Sequence, residues 1–294
     1  MIKYIFFAMV WAVMIGYFYL VNITKISHEL LTSIMVACYN IYFKASYVKG
    51  SEKIECIKTG LKPIFEALNI KINTFGYAKN NRPTLYVANH HSYLDSLILK
   101  YLKPSVKTIA KSDVVEDFSI MKNFAKTILD NWGVIYYKRG DKKSGSNVRN
   151  LIKESILKGT SVLVYPEGSS YTFNGLKKFY PGSFEVAFEN NFNVQPITIK
   201  YETDITWGEK TEFTQKNHVD ILANADRCQK FKVNNVNVTF HPILYASKFE
   251  NAEHLSNYAR FIITDEWINE HHYLTNQYNT GPILNSFAFA AEYV

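Results

Sequence analysis

Thr84-Leu85-Tyr86-Val87-Ala88-Asn89-His90-His91-Ser92-Tyr93-Leu94-Asp95 is the stretch whose reading decides the fold. Thr84 to Ala88 is a short apolar, β-prone run of the kind that is buried on both faces of a sheet. Ser92-x-x-Asp95 then forms a capping box ahead of an apolar-periodic segment reaching Leu102, which marks a helix start. A strand that passes through a short polar loop into a helix is the building unit of an α/β sheet. In such sheets the loops beyond the carboxyl ends of the strands carry the function.

That loop holds His90 and His91, and a carboxylate follows in the helix's first turn. An imidazole and a carboxylate so placed suit a base and its orienter. The carboxylate accepts Nδ1–H and fixes the tautomer, while Nε2 takes a proton from an attacking hydroxyl. The capping box competes for the same carboxylate, because helix physics asks for Asp95 on its own account.

Outward from this stretch, the chain alternates between β-rich runs and helical stretches from about residue 51, with no internal repeat and no low-complexity linker. Strands are expected at Thr84 to Ala88, Lys107 to Ala110, Gly133 to Tyr137, Ser161 to Tyr165, Val194 to Lys200 and Val236 to His241. Helices are expected at Ser92 to Leu102, Ser119 to Asp130, Asn147 to Lys158, Ser183 to Asn190 and Asn251 to Glu270. The order implies an α/β fold with a mostly parallel sheet covered by helices.

Two more strand ends carry polar groups. Gly133 to Tyr137 delivers Lys138 and Arg139 into a loop, where a guanidinium can fork onto an anion and an ammonium adds a point charge. Val164-Tyr165 runs into Pro166-Glu167-Gly168-Ser169, whose glycine permits close backbone approach or an unusual dihedral angle. Taken singly, these are also a solvated charge pair and an ordinary turn.

Together the ordered signals make the sequence resemble the glycerolipid acyltransferases of the lysophosphatidic acid acyltransferase type. The resemblance covers roughly residues 80 to 205. It rests on Asn89 to Asp95 as an NHxSxxD block, Gly133 to Arg139 as a Gly-x-Ile-x-x-x-Arg block, Pro166 to Ser169 as a Pro-Glu-Gly-Ser block and Val194 to Ile199 as an apolar-Pro-apolar strand. The first and third blocks are its specific part, and Lys111 falls where the family often has a lysine. The resemblance implies transfer of a fatty-acyl group from acyl-CoA or acyl-carrier protein to the free hydroxyl of a lysophospholipid, with His90 as base and Asp95 as its support. Arg139 and the Glu167-Gly168-Ser169 turn would line the acceptor's head group. No metal and no further cofactor is implied.

Only His90 has four residues before Asp95, so His91 is expected to be structural. One departure concerns the acceptor: many members that use a glycerol 3-phosphate head group carry arginine after Glu-Gly-Thr, and this chain has Ser170. Either the acceptor is phosphate-poor, such as a lyso-ornithine lipid, or Arg139 with Lys177 or Lys178 supplies the charge.

The rest of the 294-residue chain bears on location. Tyr4 to Thr24 is an uncharged, apolar run long enough to cross a bilayer, and reads as a spanning or deeply inserted helix. His28 to Tyr47 is apolar-rich with polar interruptions, either an interfacial helix or one packed on the domain. Residues 1–50 are thus expected to anchor an α/β domain at 51–294. The formal charge of +7 is uneven: residues 1–160 hold 23 Lys and Arg against 11 Asp and Glu, and residues 201–294 hold 7 against 12. A basic half beside an apolar N-terminus suits anionic lipid or a polyanionic thioester, at a membrane with the domain on the cytoplasmic face. Nucleic acid is not an expected partner, since no recognition helix, zinc finger or aromatic RNA-binding pattern accompanies the charge. Cys38, Cys56 and Cys228 are odd in number and too scattered for a disulfide framework or a zinc site. His271-His272 reads as a solvated helix end. Two rival functions remain, a hydrolase using Ser92 and a non-catalytic lipid-binding protein. The chain lacks the Gly-x-Ser-x-Gly elbow expected of the first.

Overall fold

A computed structural model describes residues 27–76, 82–112, 122–138, 140–169, 176–202 and 234–269. Its strands, in chain order, are β1 (Ile70–Gly76), β2 (Thr84–Ala88), β3 (Lys107–Lys111), β4 (Val134–Tyr137), β5 (Val162–Val164), β6 (Asn193–Tyr201), β7 (Asn234–Phe240) and β8 (Leu244–Tyr245). The main path of the sheet runs β1-β7-β6-β2-β5-β3-β4. From β6 to β4 every neighbouring pair is parallel, with Tyr86 opposite Leu163 on one side and Gln195 on the other. β7 meets β6 antiparallel, and β8 adds a short antiparallel pairing at the start of β6. The carboxyl ends of β2, β3, β4, β5 and β6 therefore share one edge of the sheet.

The helices are α1 (His28–Cys38), α2 (Gly50–Ala67), α3 (Tyr93–Leu102), α4 (Lys122–Asn131), α5 (Lys142–Leu157), α6 (Gly182–Glu189) and α7 (Ala252–Asn269). Strand alternation sorts them into two layers. Tyr86 and Ala88 of β2, with Ile197 and Ile199 of β6, face Leu61 and Phe65 of α2 and Ile98 and Leu99 of α3. Leu85 and Val87 face the other way, onto Ile152 of α5, Phe184 of α6 and Leu255 and Ile263 of α7. All five residues of β2 are buried, so both faces of this central strand are core. Truncating any of these large side chains to alanine costs about 2–5 kcal/mol.

Segment 28–47 packs on the domain. α1 continues through a π-helical stretch, Tyr39–Lys44, and a last turn, Ala45–Tyr47. Gly60 of α2 lets it approach: a Cβ there would lie 3.2 Å from Ile41 Cγ1 and 3.3 Å from Ala37 Cα. Leu30, Leu31, Ala37, Ile41 and Ala45 are buried, while Met35, Val36, Tyr39, Phe43 and Tyr47 stay exposed. No helix among the described residues is long and apolar enough to cross a membrane. The apolar run from Tyr4 to Thr24, Cys228 and His271-His272 lie outside the described residues.

The mostly parallel α/β sheet expected from the sequence is present, with three differences. α2 and β1 were not among the expected elements: Pro63 sits inside α2 where it removes a helical donor, and β1 carries Asn73 and Gly76, so neither reads strongly. α5 begins at Lys142 rather than Asn147, because the Asp141 side chain accepts from Lys143 N and Ser144 N at 2.9 and 3.2 Å and carries the helix past Gly145. β8 is a further short addition.

Candidate active site

The end of β2 is tied to the neighbouring strand before the loop begins. Asn89 Nδ2 donates to Ile199 O at 2.8 Å, and Ile199 N donates to Asn89 Oδ1 at 2.7 Å. The following backbone amide, His90 N, donates to Glu167 Oε1 at 2.9 Å. With both neighbours of the loop held, the ring of His90 projects from the carboxyl edge of the sheet.

His90 Nδ1 and Asp95 Oδ2 are 2.9 Å apart, with the imidazole 16% exposed and the carboxylate fully buried. The same Oδ2 accepts from His91 N at 2.7 Å and from Ser92 N at 2.8 Å. Ser92 Oγ in turn accepts from Leu94 N at 3.2 Å, completing the capping box that starts α3. Asp95 thus caps its helix and braces the imidazole at once, and the two readings open in the sequence are one arrangement. A carboxylate acceptor makes Nδ1 the protonated nitrogen and leaves Nε2 as the ring acceptor for an incoming hydroxyl.

Two tyrosines flank this pair. The Tyr165 ring, at the end of β5, stacks on His90 with centroids 4.2 Å apart and 22° between planes. Its hydroxyl lies 3.4 Å from Ser96 Oγ. Tyr201, the last residue of β6, donates its hydroxyl to Asp95 Oδ1 at 2.5 Å. Burial first, and then the charge of Asp95, push both phenols well above their ordinary range, so both keep their protons. Neither was singled out in the sequence.

Glu167 is buried, and its second oxygen accepts from Lys177 N at 2.9 Å. The carboxylate therefore clamps two backbone segments and is turned away from solvent. Burial pushes its carboxyl up from 4.5, opposed by the amides of Lys177 and His90. Gly168 has φ +69°, the left-handed conformation that its position invited. Lys177 Nζ lies 3.0 Å from Ser169 Oγ, placing an ammonium on that turn. Arg260 of α7 fixes the same segment, its guanidinium donating to Lys177 O and Leu176 O at 2.8 Å.

The remaining expected residues are spread further. His91 is buried and stacks on Trp267 of α7 at 5.2 Å, a packing role. Lys111 sits at the carboxyl end of β3 and is partly buried. Arg139 lies outside the described residues. The structure therefore brings His90, Asp95, Glu167, Gly168 and Ser169 to one place, with Lys177 beside them. Among the described residues no group of three His, Cys, Asp or Glu side chains is arranged to hold a metal ion.

The family model named Acyltransferase matches residues 69–200, which contain every one of these expected site residues. A chloroplastic 1-acyl-sn-glycerol-3-phosphate acyltransferase of Arabidopsis thaliana is 34% identical over 133 residues, 44% of this chain and 36% of that protein. A lyso-ornithine lipid O-acyltransferase of Pseudomonas aeruginosa is 28% identical over 138 residues, 47% of this chain and 50% of that protein. The crystal structure of the 1-acyl-sn-glycerophosphate acyltransferase of Thermotoga maritima superposes with a TM-score of 0.59 over 88% of this chain and 95% of that one. At 16% identity this last likeness shows a shared fold. Residues 69–200 are therefore similar to the acyltransferase family. The alignment reaches no more than half the length of either curated relative.

Proposed function

We propose that the protein is an O-acyltransferase that moves a fatty-acyl group from an acyl thioester, acyl-CoA or acyl-carrier protein, to the free hydroxyl of a lysophospholipid. The observation that carries this reading is the 2.9 Å contact between the Nδ1 of a partly exposed His90 and a fully buried Asp95. The acceptor oxygen attacks the thioester carbonyl as Nε2 takes its proton. The tetrahedral intermediate then collapses, the C–S bond breaks, and the imidazolium returns the proton to the departing thiolate. Asp95 stabilises the imidazolium while it exists. A base so positioned contributes about 10²- to 10⁴-fold, and near-attack alignment of the two substrates adds to it.

Head-group recognition falls to the Gly168-Ser169 turn, Lys177, Lys111 and Arg139. Ser170 stands where the phosphate-using pattern has arginine, and one relative is named for a lyso-ornithine lipid. A phosphate-free lysolipid is therefore the second acceptor class. Membrane association follows from the apolar run at residues 4–24 and from the exposed Met35, Val36, Tyr39, Phe43 and Tyr47 of the segment beside it. The catalytic domain would face the cytoplasm.

Purified protein incubated with labelled acyl-CoA, or acyl-carrier protein, and a panel of lysolipids tests the assignment by product mass. A diacyl product from lysophosphatidic acid supports the first acceptor, and one from lyso-ornithine lipid supports the second. Fatty acid released without any acceptor would instead indicate a hydrolase. Membrane binding with no product in any arm would indicate a lipid-binding protein.

A further inference from the structure

Asp95 offers two oxygens, and they meet different company. Oδ2 faces the loop and takes Nδ1 of His90 together with the amides of His91 and Ser92. Oδ1 faces β6 and takes the hydroxyl of Tyr201. Tyr201 is 106 residues further along the chain, on the strand whose Ile197 pairs with Ala88 of β2. Ile197, Ile199 and Tyr201 share one face of β6, the face covered by α3. The strand therefore ends by aiming its last side chain at the first turn of that helix.

We propose that Tyr201 is a positioning residue for the reaction, holding Asp95 Oδ1 so that Oδ2 stays in line with Nδ1 of His90 and so that the carboxylate's charge is shared between strand and loop. Ser92 adds to the arrangement from the loop, because its amide donates to Asp95 Oδ2. A buried carboxylate held through one oxygen only can pivot about that oxygen and draw the imidazole with it.

The consequence for activity has a definite sign. The phenol spreads the charge of Asp95 away from His90. Without it, Oδ2 carries more of the charge, imidazolium is favoured, and the neutral base needed for proton abstraction persists only at higher pH. The other titratable groups around the pair are His91 in the loop, Tyr165 at the end of β5 and Glu167 in the turn after it. All of these remain in a Tyr201→Phe variant, which removes one oxygen and keeps the ring.

This inference rests on the proposed acyl transfer, so its test has an arm that needs no substrate. In Tyr201→Phe the Nδ1–H resonance of His90 is expected to move in NMR spectra of the free protein. With substrates, kcat is expected to fall about 10- to 100-fold with KM nearly unchanged, and the acid limb of the kcat/KM profile to shift to higher pH. In an Asp95→Asn background the same substitution should cost little more, because Tyr201 acts through Asp95. An unmoved resonance and acid limb would overturn the inference, whatever happens to kcat, as would a full loss added on top of Asp95→Asn. A shifted resonance in a protein that acylates no acceptor would uphold the positioning role and reject the acyl-transfer reading.

Discussion

Asn89 and Ile199 exchange two hydrogen bonds across 110 residues of sequence, side-chain amide to carbonyl and backbone amide to side-chain oxygen. The residue directly before His90 is thereby fastened to β6 two positions before Tyr201. One side chain sets the height of the catalytic loop relative to the strand that holds Asp95. Asn89→Ala is expected to destabilise the protein by about 1–3 kcal/mol for each backbone group left unpaired, read as a lower urea midpoint. Its kcat should fall as well, because the loop loses its reference.

Glu167 supplies the second fastening, and its removal has a pH signature. Burial raises its carboxyl above 4.5, so in the interval just above that value the folded protein binds a proton that the unfolded chain has lost. The contribution is present below the unfolded value and disappears as pH rises through the folded one. Urea midpoints of wild type and Glu167→Gln measured from pH 4 to 8 should show wild type losing ground to the variant with rising pH. A constant difference would remove this group from the account.

His241 titrates with the opposite sense. It is fully buried at the end of β7, its Nε2 lies 2.7 Å from Thr198 Oγ1, and burial pushes its imidazole down from 6.5 to about 3. Folding therefore favours the neutral ring. The protein should lose stability as pH falls from 6.5 toward 3, when the unfolded chain takes up a proton that the native ring refuses. His241→Gln should flatten that part of the stability curve.

Gly168 tests the turn rather than the pair. Its φ of +69° costs an alanine about 1–2 kcal/mol. The Gly168→Ala protein should melt lower and show a raised KM for the acceptor with kcat less affected, measured with lysolipid varied at saturating thioester.

What the sequence makes legible follows the range of the interactions involved. His90, Ser92 and Asp95 lie within one loop and one helical turn, so spacing alone brings them together, and the structure shows capping and bracing by a single carboxylate. Pro166 to Ser169 is local in the same way, and Gly168 adopts the conformation its type permits. Glu167 shows where local reading stops: a turn carboxylate reads as a head-group contact, yet it is buried between two backbone amides that lie ten and 77 residues away. Tyr201 is more distant still, and only the strand parity of Ile197, Ile199 and Tyr201 points to it. α2 escaped because Pro63 interrupts its pattern, although packing against α1 and α3 holds it helical.

The identity of the base is the claim on which the account depends. His91 packs against Trp267, so His91→Phe should keep most of the activity, whereas His90→Ala removes the proposed proton acceptor. The most direct measurement is the rate of acceptor-dependent thiol release from acyl-CoA by wild type, His90→Ala and His91→Phe, all checked for equal folding. The account predicts a fall of about 10²- to 10⁴-fold for His90→Ala alone. Comparable activity in His90→Ala and wild type, or an equal loss in His91→Phe, would contradict it.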